Sequence, residues 1–241
     1  MMPAPPAIQL EGVGLDFGAA PLFRNLDLCI GAGIMTVLLG ASGVGKTSLL
    51  RMLGGLVAPD HGRVAAADGQ SLAGRVAWMG QQDLLLPWAT VMDNVMLGAR
   101  LRGDRVDRGR AGHLLDCVGL SSHVADLPAT LSGGMRQRVA LARVLYEDRP
   151  VVLMDEPFSA LDSVTRARMQ DLAGRMLAGR TVVLITHDPL EACRLADRML
   201  LMSGHPARLD AMDVPAGAVP RAVDDPGVLA AQSMLLRRML Q

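Results

Sequence analysis

Three short apolar runs, each closed by polar or glycine residues, constrain the fold of this 241-residue chain more than any other feature. Thr36-Val37-Leu38-Leu39 stops at a glycine cluster, Val151-Val152-Leu153-Met154 at Asp155-Glu156, and Thr181-Val182-Val183-Leu184-Ile185-Thr186 at His187. Runs that are apolar without alternation suit strands covered on both faces, as in the parallel sheet of an α/β fold. The stretches from Thr47 to Leu56 and from Ser163 to Leu177 show instead the apolar spacing of helices. In an open parallel sheet, ligands collect at the carboxyl ends of the strands. The three strand ends are therefore expected to converge on one site.

Composition narrows the class of protein. Lys and Arg number 24 and Asp and Glu number 24, so the formal net charge is +0 and the clustered cationic surplus of a nucleic-acid binder is missing. Half of the residues are hydrophobic, yet no apolar run approaches the ~20 residues that cross a bilayer. The N-terminal MMPAPPAIQLEGV has neither the basic start nor the apolar stretch of a signal peptide. A soluble or peripheral protein is expected. Cys29, Cys117 and Cys193 lie far apart with no ligand spacing to the histidines, and read as small core residues in a reducing cytoplasm. Arg is used almost to the exclusion of Lys, and Asp in preference to Glu. Lys46 is the single lysine, and Glu156 is one of four glutamates.

Residues 83–146 are polar and arginine-rich, helical by pattern at Asp93 to Leu101 and at Gly112 to Val118, and without a strand; an inserted helical subdomain is expected there. The main domain is taken as residues 1–208. Residues 209–241, rich in Pro, Gly and Ala and then helical near Leu229 to Leu240, are expected to form a C-terminal appendage.

Gly40-Ala41-Ser42-Gly43-Val44-Gly45-Lys46-Thr47 matches G-x-x-x-x-G-K-[ST] in full, after a strand and before a helix that continues through Ser48. The glycines let backbone N–H groups curl inward toward phosphate oxygens, and the helix adds the positive end of its dipole. Lys46 is placed to reach β- and γ-phosphates, and the Thr47 hydroxyl to reach Mg²⁺. The expected partner is a strand ending in a metal-holding carboxylate, which Asp155 provides. Glu156 follows as the general base that polarises an attacking water. A second anion-binding helix start lies at Leu131-Ser132-Gly133-Gly134-Met135-Arg136-Gln137-Arg138, about twenty residues before Asp155-Glu156.

Together these motifs make the chain resemble the ATP-binding subunits of ABC transporters over residues 8–208. The Ser132 stretch is similar to the signature motif of that family, with Met135 where glutamine is commonest. The resemblance implies a P-loop core with a mostly parallel sheet, an antiparallel β edge and an inserted helical subdomain. It further implies that Gln81 is the Q-loop residue, touching Mg²⁺ or the attacking water, that Ser159-Ala160-Leu161-Asp162 is the D-loop, that His187 is the switch histidine on the γ-phosphate, and that Phe17 stacks on adenine. It implies a head-to-tail homodimer holding two ATP molecules, each on the P-loop of one copy and under Ser132, Gly133 and Gly134 of the other.

Leu84, Leu85, Leu86, Pro87 and Trp88, just after Gln81, resemble the groove that receives a transmembrane subunit, although such a cluster also suits a core. With no span in this chain, the resemblance implies a separate permease, a periplasmic solute-binding protein acting indirectly, and a place on the cytoplasmic face of the inner membrane. The signature, "LLLPW" and "THDPLEA" look like the nitrate, sulfonate and taurine importer group. The stretch QQDLLLPWATVMDNVMLGARLRG is also similar to ATPases for uptake of the hydroxymethylpyrimidine precursor of thiamine, the cargo this resemblance favours. Two rivals remain at this point: a non-transport ABC ATPase acting on DNA or ribosomes, and a small-molecule P-loop kinase.

Overall fold

A computed structural model of the chain describes residues 4–18 and 20–240. In chain order its elements are β1 (Ile8–Phe17), β2 (Ala20–Ile30), β3 (Met35–Gly40), α1 (Lys46–Leu53), β4 (His61–Ala66), β5 (Val76–Met79), α2 (Val91–Val95), α3 (Leu97–Arg102), α4 (Arg108–Cys117), α5 (Gly133–Glu147), β6 (Val151–Asp155), α6 (Ser163–Met176), β7 (Thr181–Ile185), α7 (Pro189–Leu195), β8 (Arg198–Ser203), β9 (Arg208–Met212) and α8 (Pro226–Met239). The main sheet has the order β5-β6-β7-β3-β8-β9, parallel from β5 to β8 with β9 antiparallel at the edge. β2, β1 and β4 make a separate antiparallel sheet.

The apolar runs read from the sequence are β3, β6 and β7, buried at every position. Successive side chains of a strand leave on opposite faces, and the two faces are packed by different layers. Val152, Met154, Val182 and Leu184 join the core under the helices, whereas Val151, Leu153, Val183 and Ile185 join the core under the antiparallel sheet and α1. Each of these side chains contributes roughly 1.5–3 kcal/mol by leaving water. Register pairs Asp155 with Ile185 and Ile185 with Leu38, so the ends of β6, β7 and β3 lie level and side by side.

Residues 83–146 hold α2 to α5 and no strand. Their buried residues, among them Val91, Val95, Leu114 and Leu115, run continuously into the core beneath the main sheet. Two expectations, the boundary at 208 and the burial of Cys29, need correction. The boundary at 208 falls at the start of β9, which pairs along β8, so the main sheet extends to Met212. The expected last helix is present as Pro226–Met239, its start set by the Asp225 cap and by proline, which suits the first position. Cys29 is exposed on β2 rather than a core residue, while Cys193 is buried.

Candidate active site

Glycines wind the loop between β3 and α1. At Gly40 a Cβ would lie 2.4 Å from the Met202 carbonyl oxygen, and at Gly45, with φ of 109°, one would lie 2.9 Å from Leu22. Any larger residue at either position would have to displace its neighbour. α1 begins at Lys46 with no side chain capping it, which leaves its leading N–H groups for an outside acceptor. Lys46 Nζ donates to the carbonyl oxygens of Gly40 and Ala41, both at 2.8 Å, so the loop wraps its own ammonium. Burial pushes the Lys46 pKa down, and the charges of Glu156 and Asp155 oppose that shift. Val44 faces inward and packs in the core.

Across from this loop, Thr47 Oγ1 donates to Asp155 Oδ2 at 2.8 Å. Burial raises the Asp155 pKa, Glu156 adds to the rise, and the Thr47 hydrogen bond and Lys46 work against it. A hydroxyl and a carboxylate are hard oxygen donors, which suit magnesium. Among the described residues no group of three or more His, Cys, Asp or Glu is placed to hold a metal. A cation here would draw its remaining oxygens from phosphate and water. Lys46, Thr47, Ser48, Asp155 and Glu156 share with Ser42, Gly43 and Gln81 one cavity of about 580 Å³, walled on its other side by Pro21, Leu22 and His205.

Glu156 sits just past β6 in the left-handed region, with φ of 49°. That backbone costs about 1–3 kcal/mol in a non-glycine residue and persists only where neighbours fix it. Its N–H donates to the Ile185 carbonyl at 3.0 Å, and its own carbonyl accepts from Gln137 Nε2 at 3.2 Å and Ser159 Oγ at 3.1 Å. His187 Nδ1 lies 3.2 Å from Glu156 Oε1. A carboxylate held at the cavity floor beside an imidazole can take a proton from a water entering from the cavity.

Ser132 is the N-cap of α5, its Oγ accepting from the Met135 N–H at 3.2 Å. Ser132, Gly133 and Gly134 do not line the 580 Å³ cavity; Gly133 borders a second cavity of about 360 Å³ with Gln81, Asp83, Arg136 and Gln137. Asp162 caps α6, accepting from the Val164 and Thr165 N–H groups at 3.1 and 3.0 Å, and it too stands apart from the large cavity. Phe17 closes β1 opposite Ala20 at the cavity's rim, but its side chain lies outside the described part of the structure.

Several anchoring residues escaped the sequence reading. Gln137 also accepts from the Ala160 N–H at 2.9 Å, so it ties α5 to both Glu156 and the turn after it. Arg143 donates to the carbonyls of Asp83 and Leu84, and Arg136 pairs with Asp83 at 3.0 Å. Gln137 and Arg136 belong to the quoted Ser132 stretch, but only the fold reveals what they touch.

A family model described as ABC transporter matches residues 23–159. The chain is 44% identical over 236 residues to the aliphatic sulfonates import ATP-binding protein SsuB 1 of Rhodococcus jostii (strain RHA1), covering 97% of this chain and 94% of that one. It is 43% identical over 243 residues to the aliphatic sulfonates import ATP-binding protein SsuB of Burkholderia ambifaria, covering 99% and 74%. Among solved structures, the dimeric structure of MJ0796, a bacterial ABC transporter cassette, aligns with a TM-score of 0.72 at 30% identity over 80% of this chain and 93% of that chain. A post-hydrolysis dimer of the same cassette, bound to ADP and Pi, aligns equally well.

Proposed function

The chain belongs to the ABC transporter family as an ATP-hydrolysing subunit, and from that premise we propose that two copies clasp two ATP molecules and drive solute import through a separate permease. One observation carries the reading. The glycine loop with Lys46, the Thr47–Asp155 pair and Glu156 open on one cavity, His187 meets Glu156 from the adjoining smaller cavity, and the Ser132–Gly134 helix tip, whose dipole suits an anion, lies outside the first. A head-to-tail second copy would bring that tip over the first copy's nucleotide.

In this arrangement the loop residues from Gly40 to Gly45, Lys46 and Ser48 bind the phosphates, and Phe17 stacks on the base. Thr47, Asp155 and Gln81 would hold Mg²⁺, which neutralises charge on the β- and γ-phosphates. Glu156 takes the proton of the attacking water. His187 orients the γ-phosphate from the far side of Glu156. Asp162 and the neighbouring D-loop residues face the partner copy. The SsuB relatives support an aliphatic sulfonate or similar oxyanion as cargo. The hydroxymethylpyrimidine expectation finds no support among these relatives, and the proposal sets it aside.

For the permease, the proposal points to a cavity of about 340 Å³ lined by Trp78, Leu84, Leu97 and Leu101 with Arg102, Arg143 and Glu147 at its edges. Leu84 and Leu101 are 59% and 78% exposed, and nearby Trp88 is 75% exposed. Large apolar side chains left in water mark a docking surface. No helix among the described residues is long and apolar enough to cross a membrane. Peripheral attachment at the cytoplasmic face, with a periplasmic binding protein delivering solute from the other side, completes the proposal.

The test is Glu156→Gln. Turnover measured by phosphate release should fall by about 10²–10⁴-fold, the usual worth of a positioned base, while MgATP binding persists and the variant elutes as a dimer with ATP present. Turnover at the native rate would remove Glu156 from the role.

A further inference from the structure

α7 follows directly on Thr186-His187-Asp188, and its first turn carries Glu191. Glu191 is only 4% exposed. Gln170 Nε2 of α6 donates to Oε2 at 3.2 Å, whereas Oε1, also buried, has no partner. Glu191 borders a cavity of about 290 Å³ together with Glu156, His187, Asp188 and Arg166. The orientation of Gln170 is fixed from its other end, because its amide oxygen accepts from Arg194 Nη1 and Arg194 is in turn held by Asp171. The amide nitrogen is therefore the atom that faces Glu191. α6 is itself bound to the turn after Glu156, since Arg166 donates to the carbonyls of Phe158 and Leu161.

We propose that Glu191 is a positioning residue for His187. Its buried carboxyl, held by Gln170, fastens the first turn of α7 to α6 and so keeps His187 against Glu156. This rests on the reading of Glu156 and His187 as the hydrolytic pair.

The clamp works as a neutral acid. An ionised carboxylate with one donor and almost no water would be costly, and the charges around it do not offset that cost. Asp188 on its own turn repels it; Arg166 of α6 attracts it but lies 3.8 Å from Asp188 and is shared with it; His187 and Glu156 stand across the cavity; Arg194 is occupied by Gln170 and Asp171. Burial, with Asp188 adding to it, pushes the Glu191 pKa up to about 8, against the opposing influence of Gln170, Thr186 and Arg166. The folded chain thus keeps a proton that the unfolded chain loses near its ordinary value of about 4.3. Stability contributed by this group is complete below that value and declines as pH rises toward about 8. Above about 8 the clamp itself becomes charged.

The test compares the full chain with Glu191→Gln and Glu191→Ala, reading kcat and KM for ATP together with Tm across the neutral and alkaline range. Glutamine mimics the neutral acid, so Glu191→Gln should keep kcat at neutral pH within about twofold and lack the alkaline fall centred near 8. Any fall due to Lys46 would persist in both chains and cancel in the comparison. Glu191→Ala should lower kcat about tenfold with KM for ATP changed less than about twofold, as expected when geometry rather than binding is lost. A Glu191→Gln profile identical to the native one overturns the proposal, and this arm decides even if the alanine variant does not fold. Native turnover in Glu156→Gln would instead break the underlying assignment of the hydrolytic pair.

Discussion

Two helices of this chain begin on glycine-bearing turns, and they begin differently. α1 has no side-chain cap, starts at a glycine with φ of 109°, and opens into the large cavity beside a cation, a hydroxyl and two carboxylates. α5 is capped by Ser132 and presents only that hydroxyl and two glycines, away from the cavity. One end is furnished to hold a nucleotide from a single copy. The other has the dipole of a helix start and, among the described residues, stands apart from that cavity, the placement that the proposed contribution in trans uses.

The largest effects should separate these two ends. Lys46→Ala should weaken ATP binding by isolated copies at least ~100-fold and remove turnover, because no other ammonium stands in the loop. Ser132→Arg should leave nucleotide affinity of isolated copies within about threefold yet lower phosphate release about 100-fold or more, by blocking closure of the second copy. Calorimetric nucleotide titration at low protein concentration, set beside a turnover assay, reads both. Loss of monomer binding in Ser132→Arg would place α5 in cis and erase the distinction.

A smaller effect should come from the residue that joins the two regions. Gln137 lies on α5 but grips the Glu156 carbonyl, Ser159 Oγ and the Ala160 N–H. Gln137→Ala should release the left-handed backbone of Glu156 and lower kcat about tenfold, with KM for ATP changed less than about twofold. Equal losses in both constants would mean that Gln137 shapes the binding cavity rather than the placement of the base.

How much of this was legible in the sequence follows from how local each feature is. The ends of β3, β6 and β7 could be read because unbroken apolar runs force burial on both faces, and the polar residues that stop them have nowhere to go but the sheet's edge. The phosphate loop could be read because its spacing is a backbone requirement. The strand β9 could not: Arg208–Met212 is half exposed, and its pairing depends on β8, not on its own pattern. The same holds for Glu191, Gln137 and Arg143, whose chemistry arises from partners 21, 19 and 60 residues away. The exposure of Leu84 and Trp88 was ambiguous from composition, since an apolar cluster looks alike in a core and on a docking face.

α8 is the limiting case of a helix start, one that serves no ligand at all. Its start is wholly self-sufficient: Asp225 Oδ1 accepts from the Gly227 and Val228 N–H groups at 2.7 and 3.1 Å, and Pro226 occupies the first position, where no donor is needed. Such an end offers nothing to a ligand, and its role is to seat Val228 and Leu235 in the core beside α7. Asp225→Ala should therefore cost about 1 kcal/mol, a drop of roughly 2–4 °C in Tm for a chain of this size, with turnover changed less than about twofold. Calorimetric melting and a phosphate-release assay on the same preparation read both numbers. A tenfold loss of turnover at nearly native Tm would show that α8 reports through α7 to His187, and the order would then be three helix starts that serve the nucleotide rather than two.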